Sequence, residues 1–258
     1  LPILWDPGSP IRLRILHSGN PSAVDGSFWR ARLASALGRR AALVADPATT
    51  GFRLVHGEND AMSGFVADLY GSTVVVKLYS AAWFAHLPAV LEALVDATAL
   101  AGLDVDRIVV RLSRNLQAGG RTGLRDGLVV LGEEPLRPVE FLENGLRFEA
   151  DVIGGQKTGH FLDQRENREA AARYAHGRVL DCFSYNGGFA MTLAPKATET
   201  IAFDVSEDAV ARILGLMDTR DVKRDVERAV ASYHDRAAAI LAAFVSATRL
   251  PDGPRELP

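Results

Sequence analysis

The chain has 258 residues, of which 48% are hydrophobic, and a formal net charge of −3. That composition supports one or two packed domains and excludes wholesale disorder; so mild a charge identifies no partner, while leaving room for a local basic patch. A single cysteine, Cys182, excludes an intrachain disulfide and fits a reducing, cytoplasmic compartment.

The N-terminus lacks a basic region followed by an apolar run, so no signal peptide is predicted. The chain opens on Leu1 rather than Met, and its true start is expected to be missing. Asp6, Pro7 and Gly8 supply turn chemistry, and Ile11, Leu13 and Ile15 then alternate with Arg12 and Arg14 as a strand. Residues 27–43 have helical periodicity, with Ser27 as the expected N-cap. The short runs "FRLVHGEND" and "GFVADLYG" and the β-branched "TVVVKLY" read as strands. Residues 81–101 read as a helix. The apolar stretch Phe84 to Leu103 is interrupted by His86, Pro88, Glu92 and Asp96, which favours a buried helix over a membrane span. "RIVVRLS" follows, with Arg107, Val109, Arg111 and Ser113 on one face and Ile108, Val110 and Leu112 on the other, and then "LVVLGEE". This order predicts a small α+β domain over roughly residues 50–134.

After the linker "EPLRP", the segment "VEFLENGLRFEADV" reads as a hairpin turning at Asn144-Gly145. "GGQKTGHFLDQRENREAAARYA" begins as a glycine-rich loop and ends as a helix. "RVLDCF" reads as a buried strand, "GGFAMTLA" opens a helix, and "TIAFDVS" is a second strand: a strand–helix–strand unit that starts a doubly wound sheet. Asp181 ends the first strand, Gly187 and Gly188 open the helix, and Asp204 ends the second strand where a ribose-binding acid is expected. The turn lacks G-x-G-x-x-G, which suits a cofactor without a pyrophosphate, such as S-adenosylmethionine (SAM). On spacing alone, a SAM site and a packing glycine pair in another α/β fold both stay open.

"GGQKTGHFLDQRENR" and "VLDCFSYNGGFA" together resemble the class I SAM-dependent methyltransferases of large-subunit ribosomal RNA that form 5-methylcytosine. "DPGSPIRLRIL" and "FRLVHGENDAMSGFVADLYG" extend the resemblance, in the family's order, over about residues 4–212. The resemblance implies an α/β plus α+β chain: an incomplete Rossmann-like methyltransferase domain preceded by a small strand-rich α+β domain. Its division would be a PUA-type remnant at 1–20, a central domain at 21–136, the first part of the SAM-binding domain at 137–212 and a divergent helical end at 213–258.

The resemblance places Asp181, Phe183, Ser184, Gly187 and Gly188 in the first SAM motif and Asp204 at the ribose. It places Lys157, Thr158, Gly159, Phe161, Asp163, Gln164 and Arg165 in the K-T-G-x-F-x-D-Q-R segment beside the cofactor. Arg165 suits the methionine carboxylate, a surface helix-start arginine being the alternative, and Asp163 is alternatively the cap of the next helix. Cytosine-C5 chemistry needs a cysteine thiolate, but the family's nucleophile lies on a later strand, and Cys182 is expected to point into packing. Arg107, Arg111, Arg114, Arg121 and Arg125 form an acid-free run that suits RNA phosphates or, equally, a solvated edge strand. The histidines lack metal-ligand spacing, and no metal is assigned.

Beyond residue 212 the family's D-P-P motif and cysteine strand do not occur in this sequence. Residues 219–247 instead read as one amphipathic helix, expected to pack against the sheet. The expected cofactor is SAM and the expected partner is ribosomal RNA, with no membrane and with a homodimer left open. Three readings follow: an RNA cytosine-C5 methyltransferase, a non-catalytic RNA-binding remnant, or a small-molecule methyltransferase that needs no cysteine.

Overall fold

The computed structural model describes residues 2–20, 22–118 and 123–204. The chain divides into two compact units, Leu1–Asp163 and Gln164–Pro258. The helix expected over 219–247, its packing against the sheet, and Arg121 all lie outside the described residues.

The first unit opens with an antiparallel pair, β1 (Ile3–Trp5) and β2 (Leu13–Ile15), in which Ile3 faces Ile15 and Trp5 faces Leu13. Two helices follow, α1 (Gly26–Gly38) and α2 (Ala41–Val44). The cap of α1 is Asp25 rather than the expected Ser27. Asp25 Oδ1 accepts from the backbone N–H of Ser27 and Phe28 and from the Ser27 hydroxyl, satisfying first-turn donors that a helix leaves open. The periodic segment 27–43 is therefore two helices, broken after Gly38, where glycine's poor helix propensity ends the run.

A five-stranded sheet forms the centre of this unit, in the order β3 (Gly51–His56), β4 (Phe65–Tyr70), β5 (Thr73–Leu78), β6 (Arg107–Leu112), β7 (Leu128–Leu131). β3 to β5 are antiparallel neighbours, β5 and β6 are parallel, and β7 returns antiparallel to β6. The parallel step follows from the crossover through α3 (Leu87–Leu100), since a parallel connection needs a long link between its strands. A short helix, α4 (Arg114–Ala118), follows β6.

Strand alternation sorts the two faces of this sheet. Phe65, Ala67, Leu69, Val74, Val76, Leu78, Ile108, Val110 and Leu112 join Leu33, Leu37, Val90 and Leu94 in one core beneath α1 and α3. Each such buried aliphatic or aromatic side chain contributes roughly 1.5–3 kcal/mol. The opposite face carries Arg53, Asp68, Tyr70, Lys77 and Arg111, a polar set at period-two positions in otherwise apolar strands. The hairpin β8 (Val139–Glu143) and β9 (Leu146–Ala150) turns at Asn144 and Gly145, both with positive φ. Phe141 of the hairpin packs edge-on against Tyr70.

In the second unit, α5 (Arg165–Ala172) precedes a strand–helix–strand segment: β10 (Arg178–Cys182), α6 (Gly188–Leu193) and β11 (Glu199–Phe203). The two strands are parallel and pair residue for residue from Arg178–Glu199 to Cys182–Phe203. β10 is only half-buried, in contrast to the buried strand expected from "RVLDCF"; among the described residues it pairs on one side alone. The strand-rich α+β part followed by the opening of a Rossmann-like unit is the fold class expected from the sequence.

Candidate cofactor-binding site

In the second unit, the turn between β10 and α6 reverses direction by alternating left-handed backbone at Phe183, Tyr185 and Gly187, with φ of 63°, 51° and 79°. Glycine takes that conformation freely, whereas Phe183 and Tyr185 are held there against a cost of about 1–3 kcal/mol each. Three hydrogen bonds fix the turn. Ser184 N donates to Phe203 O at 3.0 Å, Gly187 N to Ser184 O at 2.9 Å, and Tyr185 N to Asp204 Oδ2 at 2.7 Å. On the other side Asp181 Oδ2 accepts from Ala190 N at 2.9 Å, tying the strand end to the helix.

The acids at the two strand tips thus address one turn from opposite sides. Burial pushes the Asp181 carboxyl above its ordinary range; the bond from Ala190 N opposes that rise, and the neighbouring charge of Asp204 adds to it. Phe183 is exposed at the turn, and Ser184, Gly187 and Gly188 are buried. Cys182 is exposed rather than packed, at the end of a strand that among the described residues pairs on one side alone, and partial desolvation and the Asp181 charge raise its thiol pKa. At the start of this unit Arg165 pairs with Glu166 at 2.8 Å, and Gln164 Oε1 accepts from Asn167.

The first unit holds the other half of the motif. Lys157 has φ of 53°, and its ammonium bridges both oxygens of Asp163 at 2.8 and 2.6 Å while lying 4.5 Å over the Phe161 ring. Asp163 is exposed at this position. Partial desolvation alone would raise its carboxyl, but the bond and charge of Lys157 and the charge of Arg53 bring it below the ordinary range. The expected capping role of Asp163 is not the one it takes: Gln164 stands at the cap of α5, and Asp163 holds Lys157.

Beneath this loop lies a buried network that joins Thr158 and Arg111, both expected site residues, to Arg53, Asp68, Tyr70 and Lys77, which the sequence did not point to. Thr158 Oγ1 donates to Asp68 at 2.6 Å and lies 2.8 Å from Tyr70 Oη, which also accepts from His160 N at 3.1 Å. Asp68 in turn binds Arg53 through two bonds of 2.7 and 3.0 Å. Lys77 Nζ donates to Lys157 O at 2.7 Å, and Arg111 donates to Val152 O, Gly155 O and Asp126. The available signal was a charge at an alternate position of each apolar strand, in "VADLY" and "VVVKLY".

The arginine run separates by position. Arg111 is 5% exposed, with its guanidinium turned to protein oxygens, so it presents no face to a phosphate. Arg107 bonds Glu133 O and Thr73, and Arg125 pairs with Glu134 from an exposed position. Arg114 is exposed. Among the described residues, no cluster of three or more His, Cys, Asp or Glu is placed to hold a metal, and no helix is long and apolar enough to cross a membrane.

Comparison with known proteins bears on what this turn serves. A family model described as S-adenosylmethionine-dependent methyltransferase matches residues 53–235. A ribosomal RNA large subunit methyltransferase of Deinococcus radiodurans is 46% identical over 214 residues, covering 80% of this chain and 51% of that protein. Ribosomal RNA large subunit methyltransferase I of Photobacterium profundum is 34% identical over 243 residues, covering 90% and 59%. The chain therefore spans between half and three fifths of the length of these curated relatives. A solved structure from Streptococcus mutans, described as a SAM-dependent methyltransferase, superposes with a TM-score of 0.72 at 20% identity, over 89% of this chain and 58% of that one. A second, described as a methyltransferase in complex with SAH, gives 0.71 at 20% identity over 87% and 57%; both likenesses speak to the fold. With the family model matching well over half of its residues, the chain belongs to the S-adenosylmethionine-dependent methyltransferases.

Proposed function

We propose that this chain binds SAM at the β10–α6 turn and serves the methylation of large-subunit ribosomal RNA, at cytosine C5. The observation that carries the reading is the pair of parallel strand tips, Asp181 and Asp204, converging on a turn with three left-handed residues. The residues fit the cofactor chemically. A carboxylate at the second strand tip, here bonded to Tyr185 N, is the group type that accepts from ribose hydroxyls. The Gly187 backbone allows close approach, and exposed Phe183 offers an aromatic face for an adenine. When bound, SAM supplies an electrophilic methyl group. The protein's part here is to order the turn, with Asp181 fixing the start of α6 and Asp204 fixing Tyr185. The roles of Lys157, Thr158, Phe161, Asp163, Gln164 and Arg165 rest on the resemblance of their motif, as does the four-part domain division. The rRNA substrate rests on the names of the relatives.

Cys182 favours a second reading, SAM binding without transfer. Cytosine-C5 chemistry requires a thiolate, and this sequence's one thiol is raised in pKa and sits within the cofactor motif. Calorimetric titration with SAM, paired with methyl transfer to unmodified large-subunit rRNA, tests both. Binding with transfer supports the first reading, binding without transfer the second, and absence of binding defeats both.

A further inference from the structure

We propose that the first unit carries a pocket for an unstacked base of single-stranded RNA, with Trp5 and Tyr79 as its stacking faces and Asn115 as its base-edge partner. This rests on the reading of the chain as an RNA methyltransferase and adds a site to it. A cavity of about 390 Å³ lies between the turn after β1, the residue that follows β5, and α4, and it is lined among others by Trp5, Pro7, Pro10, Tyr79, Asn115 and Leu116. That volume falls in the range of small-ligand clefts, about 300–1,000 Å³. Its two aromatic residues are open to solvent: Trp5 is 57% and Tyr79 46% exposed. Large aromatic faces left in water around a hollow are what sequence-tolerant base stacking requires, and a duplex, whose bases are already stacked, gains nothing from them.

The walls are preorganised. Asp6 is buried, and its Oδ2 accepts from the Ser80 hydroxyl at 2.6 Å and from Ala81 N at 2.9 Å, while Oδ1 accepts from Gly8 N at 3.2 Å. Asp6 also lines the cavity, and these bonds lock the Asp6–Pro10 turn to the residues that follow β5. Such rigidity lowers the ordering cost of binding. The surrounding charge complements a nucleic-acid backbone. Arg114, next to Asn115, and Arg12, whose carbonyl accepts from Asp6 N at 2.8 Å, are both exposed. Asn115, exposed on α4, offers the paired donor and acceptor that read a base edge.

The protein supplies its own reporter, because Trp29 and Trp83 are buried and Trp5 is the one exposed tryptophan of the three. The full chain is titrated with a single-stranded RNA of about twelve nucleotides and with its duplex, following tryptophan emission and anisotropy of a labelled strand. The single strand is expected to bind with quenching of the solvent-exposed emission. Trp5→Ala and Tyr79→Ala are expected to weaken binding roughly tenfold each, with Trp5→Phe and Tyr79→Phe retaining most of it. Asn115→Ala is expected to narrow the difference between base compositions. Exposed Tyr79 and Asn115 keep the test open if Trp5→Ala unfolds. The proposal is overturned if no quenching occurs, if Tyr79→Ala binds as the parent does, if duplex binds as tightly, or if sedimentation shows that quenching tracks self-association through the exposed Ile3, Leu13 and Ile15. A parallel SAM titration separates the two readings. SAM affinity without RNA quenching defeats the pocket alone, and RNA quenching without SAM affinity defeats the proposed function alone.

Discussion

Thr158 donates its hydroxyl to the Asp68 carboxylate across 2.6 Å, joining positions ninety residues apart. Asp68 is fully buried and also holds Arg53, so the loop that carries the K-T-G motif is bolted to the polar face of the central sheet. Thr158→Val keeps the shape and removes the donor. It is expected to cost about 1–3 kcal/mol, measured by urea unfolding. Asp68→Ala, which strands the mostly buried Arg53 guanidinium, is expected to cost more, about 3–5 kcal/mol. An equal or reversed order would show that the threonine, rather than the ion pair, anchors the loop.

Asp60 gives an acid-sensitivity prediction. Burial would raise its carboxyl, but Arg40, the His56 backbone N–H and Arg39 together hold it below the ordinary 3.8. A lowered folded value means that its contribution is fully present above the unfolded pKa and is lost as pH falls through the folded one. Melting temperature should therefore drop most steeply below about pH 4, and Asp60→Asn should lower stability at neutral pH while flattening that acid limb. An unchanged acid limb in the variant would rule the residue out as its source.

Phe183 separates strain from binding. Its φ of 63° favours asparagine or glycine, so Phe183→Asn should leave stability unchanged or raise it by up to about 1 kcal/mol. The same change removes the exposed aromatic face and should weaken SAM binding by about tenfold. Thermal melts and calorimetry on the one variant read both, and a parallel loss of stability and affinity would contradict the assignment.

The two strand-tip acids should respond differently. The raised Asp181 pKa means that its charge is a cost present above the folded value and relieved as pH falls through it. Asp181→Asn keeps an oxygen for Ala190 N and should hold or raise the neutral-pH melting temperature. Asp204→Ala removes the acceptor of Tyr185 N and should both destabilise the turn and weaken SAM affinity about tenfold to a hundredfold. Full SAM affinity in Asp204→Ala would exclude the ribose role.

Much of the architecture was legible because β-branched runs and turn residues are local signals: "TVVVKLY", "RIVVRLS" and Asn144-Gly145 sit where the strands and hairpin form. The Asp181 and Asp204 pair was equally legible, since strand-tip acids and a glycine turn are fixed by spacing. What depends on tertiary partners was not. Ser27 and Asp25 are both good caps, and only backbone geometry decides between them. Arg111 looked like part of a basic run, yet its neighbours across the sheet are loop carbonyls supplied more than forty residues later. Cys182 was expected to be packed because it lies inside the first cofactor motif, but burial at the end of a parallel strand depends on what lies on both its edges.

The reach of Lys77 and Arg111 to the carbonyls of Lys157, Val152 and Gly155 has an evolutionary corollary. Most surface connections accept extra or missing residues at little cost. Here a single insertion or deletion between Val152 and Lys157 would shift these carbonyls relative to their cations, taking the Lys157 carbonyl from half-buried Lys77 and leaving buried Arg111 with Asp126 alone. The spacing of that stretch should thus be immune to length drift even where its side chains vary, and a one-glycine insertion should be far more damaging than any single side-chain replacement within it.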